Sequence, residues 1–334
     1  MSPLLSSQQC CLRRYEIKKE KTEGNHIRPL SLDFCPSFSL NKPSPLTIMA
    51  AKEFLHNLYD VFSRNRKIVW EKYAFIFGLL ASAVTIVSTF VPCIGHLGIY
   101  AMIGLLILSF GIAVLLAWPT KSIEIKISQT ATLKIYEGDI FSIKKGVVVI
   151  PFNDYFDTLV DNKVVGSGTL HGMFVNKFRK EHPEINLDEE IRKSLSPYDY
   201  TENKERLIEG KQYKYPLAAV ARIAVNSELH YYLIAATEFN RENHPIDQPE
   251  KYGYILQKLY KYINTNCSGL PVYIPIIGTG QMGLDLAKED VLLEMIHNMM
   301  LVKPYVTRGG SNIVIYKGDM SKISLNRIKY LLRY

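Results

Sequence analysis

The chain has 334 residues, 47% of them hydrophobic, a formal net charge of +8 and five cysteines. That hydrophobic content excludes a wholly disordered polymer, and the length allows one or two domains. Cys10, Cys11, Cys35, Cys93 and Cys267 have no metal-ligand spacing, and Cys10 and Cys11 are too close for ordinary bridging, so free thiols in a reducing compartment are expected.

Residues 1–48 mix Ser, Pro, Lys and Glu with no lasting period and contain no apolar h-region. They are expected to be a disordered extension, or one not translated at all with Met49 as the start, and not a signal peptide. Over residues 49–70, Phe54, Leu55, Leu58, Val61 and Phe62 recur at helical spacing among charges. That predicts an amphipathic juxtamembrane helix, although the same face would suit a soluble partner helix. Two uncharged apolar runs follow, Tyr73–Val91 and Leu97–Trp118. Each is long enough to cross a hydrocarbon core of roughly 30 Å, and the short turn between them makes a hairpin. The turn carries no Lys or Arg, whereas Arg64, Arg66, Lys67 and Lys72 precede the first run and Lys121 and Lys126 follow the second. The positive-inside rule then expects both termini in the cytoplasm, with the hairpin in the inner membrane. Trp70, Tyr73 and Trp118 stand where interfacial aromatics belong. Gly78 and Ser82, and Ser109, Ala113 and Ala117, recur at four-residue steps that let helices approach closely, either within the hairpin or between copies in a homo-oligomer. Basic charge beside the spans is accounted for by anionic lipid rather than nucleic acid.

From Ser122 the texture changes, and residues 122–334 read as a cytoplasmic α/β domain. Strands are predicted in "SIEIKI", "TLKIYEG", "KKGVVVIPF", "YPLAAVARIAV", "HYYLIAAT", "LPVYIPII" and "SNIVIYKG". Helices are predicted in "TLHGMFVNKFRKEHP", "PEKYGYILQKLYKYINTN", "AKEDVLLEMIHNMMLV" and "KISLNRIKYLL". This alternation predicts a layered α/β/α sandwich. The polar stretch at 194–215 is expected to be a loop excursion.

In open α/β sheets, ligands sit beyond the carboxyl ends of the strands. Four predicted strand ends carry unusual residues: Asp139 and Ile140 after Gly138; Asn153, followed by a loop with Gly166, Gly168 and Gly172; Glu238, Phe239 and Asn240; and Gly278, Thr279, Gly280, Gln281, Met282 and Gly283. Two glycine loops that each feed a helix can hold phosphates on backbone amides. Asp139 could accept an exocyclic amine or cap a helix. Phe239 could stack on a base or ribose, or lie in the core. Together these residues favour a nucleotide diphosphate.

The order "YEGDIF…VVVIPFN…GSGTLHG…IPIIGTGQMG" resembles the macro domain, an α/β/α module that binds ADP-ribose, from about Leu133 onward. The resemblance implies that Asp139 and Ile140 meet adenine and Asn153 the distal ribose region. It implies that Gly166, Ser167, Gly168, Thr169 and Leu170 form one phosphate loop and Gly278 to Gly283 the other. With the N-terminal hairpin, the chain resembles the macro–transmembrane effectors of type II Thoeris antiphage defence. That implies a partner TIR enzyme making a histidine-containing ADP-ribose signal, which the macro domain binds before the effector damages the cell's own membrane in abortive infection. No cofactor or metal is implied. The alternatives are a membrane-anchored ADP-ribosyl hydrolase or an ADP-ribose reader. Hydrolysis is disfavoured because Ala235 and Ala236 stand where one hydrolytic branch needs a lysine, and because Asp285 alone is expected to be a helix cap.

Overall fold

The computed structural model describes residues 45–90, 98–280 and 284–332. The expectations for residues 1–44 and for the turn between the spans lie outside the described residues. All contacts below fall within the unit Ala51–Tyr334.

Helix α1 spans Pro45–Ser63, α2 Arg66–Phe90 and α3 Gly98–Leu116. The helix predicted over 49–70 is therefore interrupted near Asn65. The reason is polar: Asn65, 1% exposed, donates from Nδ2 to the Ala117 carbonyl at 3.1 Å and accepts from Ser324 Oγ at 2.7 Å. Helices α2 and α3 are both long and apolar enough to cross a membrane. Ala113 and Ala117 are buried with Val61, Ile68 and Val69, and Tyr73, Phe110 and Trp118 pack against them. The small residues of the second run thus serve packing inside the hairpin. Gly78 and Ser82 of the first run face outward.

The sheet has seven strands. They are β1 Ser122–Lys126, β2 Thr132–Glu137, β3 Gly146–Asn153, β6 Val220–Ala224, β7 Leu229–Thr237, β8 Val272–Pro275 and β9 Ser311–Ile315, in the order β1-β2-β9-β8-β3-β7-β6. The edge pairs β1–β2 and β6–β7 are antiparallel and the four inner pairings are parallel. Strands of a parallel centre are covered on both faces and so read as continuous apolar runs; β7 is buried at every position. Its Tyr232, Ile234 and Ala236 enter one core together with α6 (Tyr252–Asn266) and α7 (Lys288–Leu301). Its Leu229, Tyr231, Leu233 and Ala235 enter a second core with α4 (Leu170–Glu181) and α5 (Leu187–Leu195). The result is the expected three-layer α/β/α architecture. Helix α5 was not foreseen, because its nine residues "LDEEIRKSL" are mostly charged; its three apolar residues, Leu187, Ile191 and Leu195, recur every four positions and are all buried.

The excursion at 194–215 is more ordered than expected. It contains a two-stranded ribbon, β4 Thr201–Glu202 and β5 Tyr213–Lys214, and sends Arg206 into the interior. The chain closes with a short helix, α8 Lys317–Met320, and then α9 Leu325–Leu331. Around α9 the domain meets the hairpin: Asn326 Nδ2 donates to the Trp118 carbonyl at 2.7 Å, and the Tyr330 hydroxyl donates to Glu71 at 2.6 Å.

Candidate functional site

Two adjoining cavities, about 400 and 370 Å³, lie beyond the carboxyl ends of β3, β8 and β9. Leu170, Ile276 and Thr279 wall both, so they form one cleft. One end holds Asp139 and Ile140 with Phe141, Met173, Val314 and Tyr316. It is a mostly apolar slot with two carboxylates among its walls, Asp139 and Asp319. Asp139 also caps the 3-10 turn at Ile140–Ser142, accepting from the Phe141 N–H at 2.9 Å, so its cap and ligand readings are compatible.

The other end lies between the two glycine loops and is walled by Asn153, Gly168, Thr169, Leu170, Gly278, Thr279 and Gly280. Thr169 is the N-cap of α4 and accepts from the Gly172 N–H at 3.0 Å, which aims the positive end of that helix at the cleft. A Cβ on Gly172 would lie 2.2 Å from the Gly166 carbonyl oxygen, so loop and helix can close only around glycine. In the second loop, Gly278 has φ +107°, and a Cβ there would meet Leu284 at 2.6 Å. Tyr252 fixes the same loop by donating to the Ile277 carbonyl at 2.6 Å. By contrast, Cβ atoms on Gly168 or Gly280 would meet nothing within 4 Å. These two positions leave open space rather than relieve strain.

Not every expected residue reaches the cleft. Gly166 and Ser167 shape the first loop from behind, the Gly166 carbonyl accepting from Thr169 and the Ser167 N–H donating to Asn162. Glu238, Phe239 and Asn240 lie outside both cavities. Phe239 is a core residue, 3% exposed; Asn240 caps its own turn by accepting from the His244 N–H; Glu238 pairs with Lys214 and Lys251. The cause is a register shift at the end of β3, where Phe152 pairs with Ala235 but Asn153 pairs with Thr237. The shift turns Thr237, not its neighbours, into the cleft. Gln281, Met282 and Gly283 lie outside the described residues. Asp285 is not the cap of α7: that position is Ala287, without a side-chain bond. Ala235 and Ala236 are buried at 0% and 1%.

Sequence reasoning missed Thr237, Tyr316 and His171. The first two could have been found by applying the strand-end rule to every strand. His171 lies under Phe152 at 3.6 Å between ring centroids, its Nε2 2.7 Å from the Asp157 carbonyl. Burial holds its imidazole down at about 4, so it is neutral at physiological pH.

Behind the cleft stands a buried charge network. Asn153 donates to Asp157 Oδ2 at 2.7 Å, and the Asp157 N–H donates to Asn153 Oδ1 at 3.1 Å. Arg206 donates to both Asp157 oxygens, at 3.0 and 2.6 Å, and to Asn243 at 2.8 Å; Asn243 in turn donates to the carbonyls of Lys163 and Val164, just before the first glycine loop.

A cleft between two glycine loops at the carboxyl edge of this mixed sheet defines a macro domain. A family profile described as "Thoeris protein ThsA, Macro domain" matches residues 133–310, more than half of the chain. The chain belongs to that family. It is 27% identical over 202 residues to Thoeris protein ThsA of Bacillus amyloliquefaciens (strain Y2), a match covering 59% of this chain and 66% of that protein, just under two thirds of the relative's length. Among solved structures it is similar to an Oceanobacillus iheyensis macrodomain with ADP, at 16% identity and TM-score 0.38 over 63% of this chain and 96% of that one. A mutant of that macrodomain with ADPR gives 15% and 0.38 over 64% and 100%. The family match, not these structural scores, carries the assignment.

Proposed function

We infer that the chain is a membrane-anchored defence effector whose macro domain senses an ADP-ribose-type signal and then disrupts the bilayer. The observation that carries this reading is the continuous cleft: an apolar slot edged by Asp139 leads into two glycine loops with open space at Gly168 and Gly280. Adenine in the slot would place the diphosphate between the loops and the distal ribose toward Asn153. A histidine conjugate made by a TIR-domain enzyme is the expected form of the signal. Ala235 and Ala236, buried where one hydrolytic branch needs a lysine, favour sensing over turnover.

A route from cleft to hairpin supports the same reading. Tyr316 and Asp319 wall the slot, and Asp319 pairs with Lys288 of α7. Ser324 and Asn326, a few residues later, hold Asn65, Ala117 and Trp118 at the base of the hairpin. A ligand that binds one arrangement of α8 more tightly shifts this junction through differential affinity alone. Association of copies would then bring several hairpins together in the inner membrane.

Gly280→Val tests the site. A Cβ there meets nothing within 4 Å, and Gly280 has no positive φ to strain, so the domain should stay folded. Affinity for ADP-ribose, measured by calorimetry, should fall at least about tenfold, or 1.4 kcal/mol. In cells making the histidine conjugate, the wild type should depolarise the membrane and the variant should not. Unchanged affinity would remove this loop from the site; depolarisation without any signal would sink the gated reading.

A further inference from the structure

A cavity of about 660 Å³ lies on the far side of the same strand ends, between the ribbon of 197–215 and the start of α6. Consecutive residues divide between the two sites: Asn153 and Thr237 wall the cleft already described, while Asp154 and Glu238 wall this one. Successive side chains of extended backbone point to opposite sides, so one pair of strand ends serves two sites back to back.

The floor is a carboxylate in an unusual state. The Asp154 side chain is fully buried, and its Oδ1 accepts from the Phe239 N–H at 3.1 Å, while Oδ2 has no hydrogen bond. Lys214 Nζ approaches Oδ2 only to 3.4 Å, because it is drawn to Glu238 at 2.9 Å and to the Phe239 carbonyl at 3.3 Å. Burial, against the pull of Lys214, pushes the Asp154 carboxyl up to about 7. A buried acceptor without a donor is costly, and one that walls a cavity calls for an N–H or O–H from the occupant. Lys251 lines the same cavity, 44% exposed and bonded to Glu238 at 3.3 Å, with ammonium hydrogens to spare for an acceptor. Tyr198, Tyr200 and Tyr254 give the walls flat faces, on which planar rings stack.

We propose that this cavity is a second ligand site, for a planar nucleobase-type heterocycle that donates to Asp154 Oδ2 and accepts from Lys251 while lying against the tyrosine walls. It goes beyond the sensing cleft, shares no side chain with it and can be filled at the same time. Because Lys214 already stands at the floor, a simple organic cation is disfavoured there.

The test uses the full-length chain in detergent or nanodiscs, saturated with ADP-ribose so that the first cleft is filled. Adenine and cytosine are titrated by ligand-observed NMR, with putrescine as the cationic comparison. At least one base should bind, and Asp154→Asn, which removes the carboxylate while keeping an acceptor for Phe239, should weaken it at least tenfold. Lys251→Met and Tyr254→Ala, two substitutions at exposed or half-exposed positions, should weaken it several-fold. All three variants should keep wild-type affinity for ADP-ribose, which separates this site from the cleft and shows that they fold. Failure of both bases to bind at millimolar concentration, equal binding to wild type and all three variants, or binding of putrescine alone would each overturn the proposal.

Discussion

Arg206→Ala should destabilise the macro domain by about 3–5 kcal/mol, the cost of leaving a buried carboxylate without its partner. Arg206 and Asp157 have side chains 0% and 1% exposed, 2.6 Å apart at the closest pair of atoms. The guanidinium engages both carboxylate oxygens and lies 3.8 Å from the centroid of the Tyr155 ring. A lysine cannot reproduce that planar fork, so Arg206→Lys should recover little. Replacing both partners, as Asp157→Asn with Arg206→Met, should recover part of the loss because no isolated charge remains. Urea unfolding of the full chain is the measurement, read as a shift in midpoint at constant slope. A loss below about 1 kcal/mol, the range of exposed ion pairs, would show that the buried pair contributes little. Asn153 depends on Asp157 for its orientation, so ligand affinity should fall with stability in Arg206→Ala.

Gly78→Leu with Ser82→Leu should weaken signal-induced depolarisation while leaving ligand affinity unchanged. Both residues face away from α3: a Cβ on Gly78 would meet nothing within 4 Å, and Ser82 Oγ is folded back onto the Gly78 carbonyl at 2.8 Å. Bulk there lies on the exposed side of α2, where it would keep a neighbouring copy from approaching. The signal concentration for half-maximal depolarisation should rise at least about tenfold, again 1.4 kcal/mol. Ala113→Leu is the informative contrast. Ala113 is fully buried inside the hairpin, so leucine should disrupt the hairpin's packing and reduce the amount of protein in the membrane. If the Gly78 and Ser82 leucines change nothing, copies do not associate through this face.

Much of this was legible because periodicity reports burial. The uncharged runs and the strands that became β3, β6 and β7 follow from where apolar residues fall. The two glycine loops follow from strand-end logic, and Gly278 shows the positive φ that such turns use. What stayed hidden depended on partners distant in sequence. Nothing local marks Arg206, in a stretch of charges, as the residue that goes inside. Asn65 reads as one more polar residue of an amphipathic helix until Ser324 and Ala117 stand beside it. Glu238 and Asn240 do not wall the cleft because one step of register at Asn153 and Thr237 decides which side chains face it, and pattern does not reveal such a step.

The strand order also dictates a sequence of events during synthesis. The hairpin leaves the ribosome before the sheet, yet β2 pairs with β9, the last of the described strands to be made. Until Ser311–Ile315 emerges, β2 keeps an unpaired edge and its contacts await some 180 residues of chain, the costly kind of long-range closure. Ser324 and Asn326, which hold the base of the hairpin, come later still. A ribosome that stalls midway therefore leaves the hairpin with neither a finished cleft nor the contacts that join it to the domain, so quality control has an exposed strand edge to recognise before the fold is complete.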